Sequence, residues 1–327
     1  MKKILITSGI PAECIEPFKN LVELTMPSKE GESYSQEELL ALVPKYDALF
    51  CVGAKAGKEL LDTGAKLKAV ANFGVGYDNI DWKYATEKNI FVVNTPQAVL
   101  QPTAEFTVAL ILAISRGILL YDRKLRREKR CSSERFFNRD LLLYGKTLGL
   151  LGFGRIGKAV AQKCQGLGMS VIYYDPYRLP EEKEKELQAT YMPREEVIAN
   201  ADVLSLHMPY TPENRHLINY DCITTMKPTA YLINAARGPI IKESDLVRAL
   251  QEKRIRGAAI DVFDNEPDVS DELLALDNVV ITPHVASCIF ESRVGMAQEA
   301  LSGLVSILQG KRPPNVANPQ LFDKIRI

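Results

Sequence analysis

The stretch that most constrains this chain is "TLGLLGFGRIGKAVAQ" (147–162), where an apolar run enters a glycine turn and a helical periodicity leaves it. Gly152, Gly154 and Gly157 have the spacing G-x-G-x-x-G. Glycine turns are common, so the spacing alone is weak evidence. Here the next apolar run, "SVIYYD", ends on Asp175, 18 residues past Gly157. Strand, turn, helix and a second strand closed by an acid make the fingerprint of a dinucleotide site. Gly152 permits the tight turn, Gly154 lets backbone approach a pyrophosphate at the helix N-terminus, and Gly157 allows close helix–strand packing. A carboxylate at Asp175 accepts hydrogen bonds from an adenosine ribose and repels a 2′-phosphate. NAD is therefore favoured over NADP, with Arg178 nearby as the residue that weighs against the preference.

The same alternation of short β-branched runs and longer mixed stretches fills the chain, which is the pattern of parallel strands with crossover helices. One set is "KILIT" (3–7), "LVELT" (21–25), "DALFCV" (47–52), "LKAVAN" (67–72) and "IFVVN" (90–94). The other is "TLGLLG" (147–152), "SVIYYD" (170–175), "ADVLSLH" (201–207), "YLINAA" (231–236), "AAIDV" (258–262) and "NVVITPH" (278–284). Five strands and then six predict an α/β protein with two doubly wound parallel sheets. Between the sets, residues 101–130 read as one helix, with Pro102 in its first turn and Glu105 near its positive end. At about 1.5 Å per residue it would run roughly 35–40 Å and carry the chain between domains. A second long helix is expected over 290–310, bringing the chain back, with "PPNVANPQLF" (313–322) packing against the chain's start. The expected domains are 1–101 with 297–327, and 102–296.

The 327 residues suffice for two domains, and Lys plus Arg and Asp plus Glu both number 41. That balance argues against nucleic acid or an anionic membrane as the main partner. The basic run "DRKLRREKR" (122–130) reads as a solvated helix end and "EEKEKE" (181–186) as a solvated surface. The most apolar segment, 106–121, is broken by Ser115, Arg116 and Gly117; it is too short to span a bilayer and reads as a buried helix. Six cysteines without C-x-x-C or metal spacing read as reduced thiols, with no metal and a cytoplasmic location expected. "MKKILITSGI" suits a first strand better than a signal peptide.

Ligands of open parallel sheets bind beyond the carboxyl ends of the strands. There the sequence places Arg237 after "YLINAA", Asp261 in "AAIDV" and His284 after "NVVITP", with Glu266 five residues past Asp261. These types suit hydride transfer to a 2-oxo acid, whose carbonyl oxygen gains negative charge and needs a proton donor and a cation. His284 can donate the proton, Glu266 can raise its pKa, Arg237 can hold the substrate carboxylate, and Asp261 can meet a nicotinamide carboxamide. Singly, each also reads as an ordinary ion pair or structural residue; their joint placement favours function. His207 ends a strand on the cofactor side, where a purely structural role is an equal reading, and His216 reads as surface.

Several motifs resemble the NAD-dependent D-isomer-specific 2-hydroxyacid dehydrogenase family, over nearly the whole chain: "NFGVGYDNID" (72–81), "TAEFTVALILA" (103–113), "GKTLGLLGFGRIG" (145–157), "LHMPYTPENRHLI" (207–218), "INAARGPII" (233–241), "AAIDVFDNEP" (258–267) and "ITPHVAS" (281–287). The resemblance implies a flavodoxin-like substrate domain and a Rossmann NAD-binding domain joined by two long helices. It implies Arg237, Glu266 and His284 as catalytic residues, and the backbone at Val75 and Gly76 as the cradle of the substrate carboxylate. Thr103, the Arg155–Ile156 turn, Asp175, the backbone of Ala235, Ala236 and Arg237, and Asp261 would line the cofactor. It also implies a homodimer through the nucleotide domain, with "DLLLYG" (140–145) at the interface. Lys242 stands where such proteins often carry aspartate. Phe50, Val52, Gly53, Cys288 and Phe290 are candidates for a specificity pocket or for the core.

The expected function is reduction of a small 2-oxo acid to a D-(R)-2-hydroxy acid with NADH. Glyoxylate, hydroxypyruvate, pyruvate, branched 2-oxo acids, aryl pyruvates and sugar-derived 2-oxo acids all stay open. The competing expectations are another oxidation on the same scaffold, such as that of a non-carbon oxyanion, and an NAD(H)-sensing binding protein like the family's transcriptional corepressors.

Overall fold

A computed structural model describes residues 1–131 and 140–324. The chain divides into two compact units, Met1–Val99 with Ser287–Ile327, and Leu100–Ala286.

The first unit is built on β1 (Lys3–Ile6), β2 (Glu23–Thr25), β3 (Ala48–Cys51), β4 (Ala69–Asn72) and β5 (Phe91–Val93). All pair in parallel, in the order β2-β1-β3-β4-β5. Strands covered on both faces read as continuous apolar runs, because alternate side chains enter different cores. Ile4 and Ile6 pack with Phe50, Ala71 and the helix Phe290–Leu308, while Leu5 packs with Leu49, Val70 and Leu60 on the other face. That helix buries Ala297, Ala300, Leu301 and Leu304, the helical spacing of one apolar stripe. The C-terminal segment packs on β5 through Val316, and its Leu321 and Phe322 join the cluster that holds Ile4, Ile6 and Ile10. Asn318, fully buried, accepts from the Val92 N–H (2.8 Å) and donates to the Ile90 carbonyl (2.9 Å), so it satisfies edge groups that would otherwise be orphaned.

The second unit contains β6 (Thr147–Leu151), β7 (Ser170–Tyr174), β8 (Ala189–Tyr191), β9 (Val203–Leu206), β10 (Tyr231–Asn234), β11 (Gly257–Ile260) and β12 (Val279–Ile281). The sheet is parallel throughout, in the order β12-β11-β10-β9-β6-β7-β8. One face takes the helices Leu100–Ser115 and Arg155–Gly166 through Leu110, Ile111, Ile114 and Val160. The other takes Val197, Ile198, Leu246 and Leu250 from the helices Arg194–Asn200 and Glu243–Gln251. Strand order reverses between β6 and β9 here and between β1 and β3 in the first unit, which marks the ligand crevice of each sheet type.

Four expectations change. The second sheet has seven strands, since three-residue β8, lodged between charged segments at the sheet edge, is too short to register as an apolar run. The helix expected over 101–130 is two, Leu100–Ser115 and Ile118–Glu128, bent by 57°. Gly117 makes the break in the left-handed region (φ 60°), which glycine adopts at little cost. Beyond the break the chain is not buried: Ile118 and Leu125 are 54% and 51% exposed. Neither long helix spans the two units; the chain crosses at 99/100 and 286/287, just before each. Residues 287–296, expected with the second domain, therefore lie with the first, where Ser292 Oγ donates to the Ala98 carbonyl (3.0 Å). Among the described residues no single helix is long and apolar enough to cross a membrane.

Candidate active site

The glycine turn lies at the carboxyl end of β6, beside the end of β9. Gly152 has φ 93°, and a side chain there would meet the backbone of His207 and Met208 within 2.7 Å. At Gly157 a Cβ would come 2.5 Å from the Gly152 carbonyl oxygen, so only glycine lets the helix Arg155–Gly166 start this close to the strand. At Gly154, which caps that helix, a Cβ would meet nothing within 4 Å. The turn is thus tight on the protein side and open on the outside. The helix's first N–H groups, at Arg155, Ile156 and Gly157, have no partner one turn back and face that end. Asp175 braces the turn: Oδ2 accepts from the Phe153 N–H (2.8 Å) and Oδ1 from the Tyr177 N–H (2.9 Å). His207 shares a 2.9 Å hydrogen bond through Nε2 with the fully buried hydroxyl of Ser205. Burial pushes its pKa down to about 4, so it is a neutral ring at ordinary pH. Thr103 is buried on the first turn of the helix Leu100–Ser115.

Three further loops of this unit carry the titratable residues. Beyond β10, the fully buried side chain of Asn234 accepts from the Ala236 N–H (3.0 Å) and donates to the Arg237 carbonyl (3.0 Å), shaping the 235–237 turn. Arg237 Nη1 donates to the Ala236 carbonyl (2.7 Å). Beyond β11, Asp261 is fully buried, and its carboxylate accepts from Thr282 Oγ1 (2.6 Å) and the N–H groups of Val285 (3.0 Å) and Ala286 (2.9 Å). Those bonds hold the loop that presents His284 (φ 52°), whose own N–H donates to the Asp261 carbonyl (2.8 Å). These three bonds make the Asp261 carboxylate the anchor of the 282–286 loop.

Glu266 and His284 meet, with Nδ1 and Oε2 2.9 Å apart. The other Glu266 oxygen accepts from the Phe263 N–H (2.9 Å). Hydrogen bonding to Glu266 holds the His284 pKa above its usual value, against burial and the Arg237 charge. Burial acts to raise the Glu266 pKa, but the bonds from His284 and the Phe263 N–H outweigh it and lower the net value. Nδ1 is the ring nitrogen that the pair engages.

The Arg237 and Glu266 loops are also tied together. A side chain at Gly238 would come 1.8 Å from the Phe263 carbonyl oxygen, so glycine allows the two loops to touch. His216 (φ 54°) donates its N–H to the Pro239 carbonyl (2.8 Å), and its ring Nε2 pairs with Asp264 Oδ2 (2.8 Å). It is a bracket between the loops rather than the surface residue that its polar neighbours suggest.

In the first unit, Val75 and Gly76 follow β4. Asn72 Nδ2 donates to the Gly76 carbonyl, Asn94 Nδ2 to the Val75 carbonyl (2.8 Å), and Asn79 Nδ2 to Asn72 Oδ1 (3.0 Å). No acceptor for the N–H groups of Val75 and Gly76 occurs among the described residues. Phe50 is fully buried against Phe73 and belongs to the core, whereas Cys288 and Phe290 are exposed. The residues that sequence reasoning passed over are asparagines: Asn72 and Asn234 each end a strand run, and that position was their only signal. No group of three or more His, Cys, Asp or Glu that could hold a metal occurs among the described residues.

A glycine turn at a switch point, an acid at the end of the next strand and a carboxylate–histidine pair fit a nicotinamide-dependent oxidoreductase. Residues 108–286 match the model of the D-isomer specific 2-hydroxyacid dehydrogenase NAD binding domain. The chain is 39% identical to a glyoxylate reductase of Pyrococcus furiosus over 99% of this chain and 97% of that protein. Among solved structures, a D-isomer specific 2-hydroxyacid dehydrogenase from Lactobacillus delbrueckii ssp. bulgaricus in its NAD-complexed form has a TM-score of 0.78 at 27% identity, covering 97% of this chain and 100% of that one. An NADPH-dependent glyoxylate/hydroxypyruvate reductase from Sinorhizobium meliloti, in complex with NADP and malonate, has 0.84 at 30% identity over 98% of each chain. This chain belongs to the D-isomer-specific 2-hydroxyacid dehydrogenase family.

Proposed function

We propose that the protein reduces a small 2-oxo acid to the D-(R)-2-hydroxy acid with NADH, and the observation that carries this reading is the 2.9 Å Glu266–His284 pair. The nicotinamide, when bound, supplies the hydride. His284 delivers a proton from Nε2 to the carbonyl oxygen as negative charge develops there, and Glu266 keeps the ring charged and oriented. Arg237 holds the substrate carboxylate and polarises the carbonyl. In the first unit, the N–H groups of Val75 and Gly76 are assigned to binding a carboxylate.

The cofactor assignment rests on fit. The open face at Gly154 and the N–H groups of Arg155, Ile156 and Gly157 suit a pyrophosphate, and Asp175 suits an unphosphorylated ribose. Thr103, His207 and the 235–237 backbone are assigned to the cofactor walls, with His207 as a neutral group. Asp261 is assigned to the nicotinamide carboxamide, with the same carboxylate anchoring the 282–286 loop. The relatives named as glyoxylate reductases support a small acid. We further assign a cytoplasmic homodimer, for which Ile118, Leu125, Leu142 and Tyr144 in the nucleotide unit are exposed side chains that an interface can cover.

The test is NADH oxidation, followed by absorbance, against glyoxylate, hydroxypyruvate, pyruvate, a branched 2-oxo acid, an aryl pyruvate and a sugar-derived 2-oxo acid. Fast turnover of at least one acid is expected. Tight NADH binding without turnover of any would instead favour the sensor reading.

A further inference from the structure

The run "EEKEKE" reads from sequence as solvated, yet one of its residues is not. On the short helix Glu181–Glu186, the Glu184 side chain is only 11% exposed. Its oxygens take the guanidinium of Arg178 in a two-pronged grip, Nε to Oε1 at 2.9 Å and Nη2 to Oε2 at 3.1 Å. Oε1 also accepts from the hydroxyl of Tyr173 (2.8 Å), a fully buried residue whose oxygen in turn accepts from the Leu179 N–H (3.1 Å). The Arg178 guanidinium lies 4.9 Å from the centre of the Tyr191 ring. Exposed ion pairs hold their partners loosely. This one differs, because the carboxylate is anchored to a buried tyrosine and the fork geometry fixes the arginine's plane.

Arg178 is three residues past Asp175, where an arginine in dinucleotide folds can accept a 2′-phosphate. We propose that Glu184 is a cofactor-specificity residue: by gripping Arg178 against Tyr191, it withholds that guanidinium from the phosphate of NADP. Discrimination then has two layers. Asp175 repels the phosphate, and Glu184 removes its natural partner. Glu184 acts through Arg178 and is a positioning residue. The inference rests on the reading of Asp175 as the ribose acceptor.

The experiment compares kcat/KM for NADPH and for NADH, with an acid turned over by the wild type, in five proteins: wild type, Asp175→Ala, Glu184→Gln, the double variant, and the double variant with Arg178→Ala. Asp175→Ala alone should raise the NADPH/NADH ratio. Adding Glu184→Gln should raise it about tenfold more, the size of one charge-assisted hydrogen bond gained, and Arg178→Ala should cancel that gain. Glu184→Gln alone should leave the NADH constant within about twofold, since the partners of Glu184 are Tyr173 and Arg178. Glu184→Ala serves if the glutamine variant unfolds. A double variant no better than Asp175→Ala, or a gain that survives loss of Arg178, overturns the inference while the ribose reading stands. A wild type that prefers NADPH, or an Asp175→Ala ratio equal to the wild type's, overturns the ribose reading itself.

Discussion

The loops that follow β4 and β11 both lie at the carboxyl ends of parallel strands, yet they offer a ligand different things. After β4, the side chains face inward: Asn72 and Asn94 occupy the carbonyls of Gly76 and Val75, and the backbone N–H groups are what remains to present. After β11 and its neighbour β12, the backbone does the holding. The Val285 and Ala286 N–H groups are bound to Asp261, the Phe263 N–H is bound to Glu266, and titratable side chains are presented. A backbone donor cannot change charge between pH 5 and 9, so the first loop suits binding an anion. A carboxylate–histidine pair changes charge within that range, so the second suits moving a proton.

The comparison can be broken at either end. The largest expected effect is that of His284→Ala, which should cut turnover by about 10²–10⁴-fold while leaving the NADH dissociation constant within about twofold; fluorescence titration and steady-state rates measure the two. Unchanged turnover would remove the proton donor from the account. Smaller, and of a different kind, is Asn94→Ala. Freeing the Val75 carbonyl should raise KM for the acid by about tenfold with little change in kcat, the cost of one misplaced charge-assisted bond. If kcat fell instead with KM unchanged, the first loop would be part of the chemistry rather than of binding.

The pH behaviour follows from the directions of the two shifts. His284 has a raised pKa, so its share of stability is present below its unfolded pKa and is lost as pH rises through the folded one. Glu266 has a lowered pKa, so its share is present above its unfolded value and is lost as pH falls through the folded one. Both side chains are more than a third exposed, at 52% and 36%, so water screens the pair and the stability effect is small. The effect on rate is not small, because catalysis needs one protonation state. Reduction should fall as pH rises through the His284 pKa, and oxidation should rise over the same range. His207, held near 4, contributes nothing to that profile.

Much of this was legible in the sequence because the residues that matter there are chemically distinctive. The glycine turn, Asp175, Arg237, Glu266 and His284 each stand out in type and spacing, and strand alternation placed them beyond strand ends. The helix Phe290–Leu308 was equally visible, as a stripe repeating at three and four residues. What escaped depends on three-dimensional partners. Asn72, Asn94 and Asn234 look like loop polarity until the carbonyls they bind are known. Glu184 looks solvated until Tyr173 and Arg178 close over it. Asp261 is distinctive in type, but only the fold says that its carboxylate anchors the 282–286 loop. The break at Gly117 lay in plain view as "SRG", yet apolar residues continue beyond it, and exposure rather than sequence separates the two helices.

The most direct test of the central claim is the pH profile of kcat/KM for reduction in the wild type and in Glu266→Gln. An uncharged glutamine still accepts a hydrogen bond from the ring but no longer favours imidazolium. The fall in rate is expected to move to lower pH in the variant, with turnover near its wild-type level on the acid side. The same pH for the fall in both proteins would contradict it, since the proton would then come from a group that Glu266 does not control.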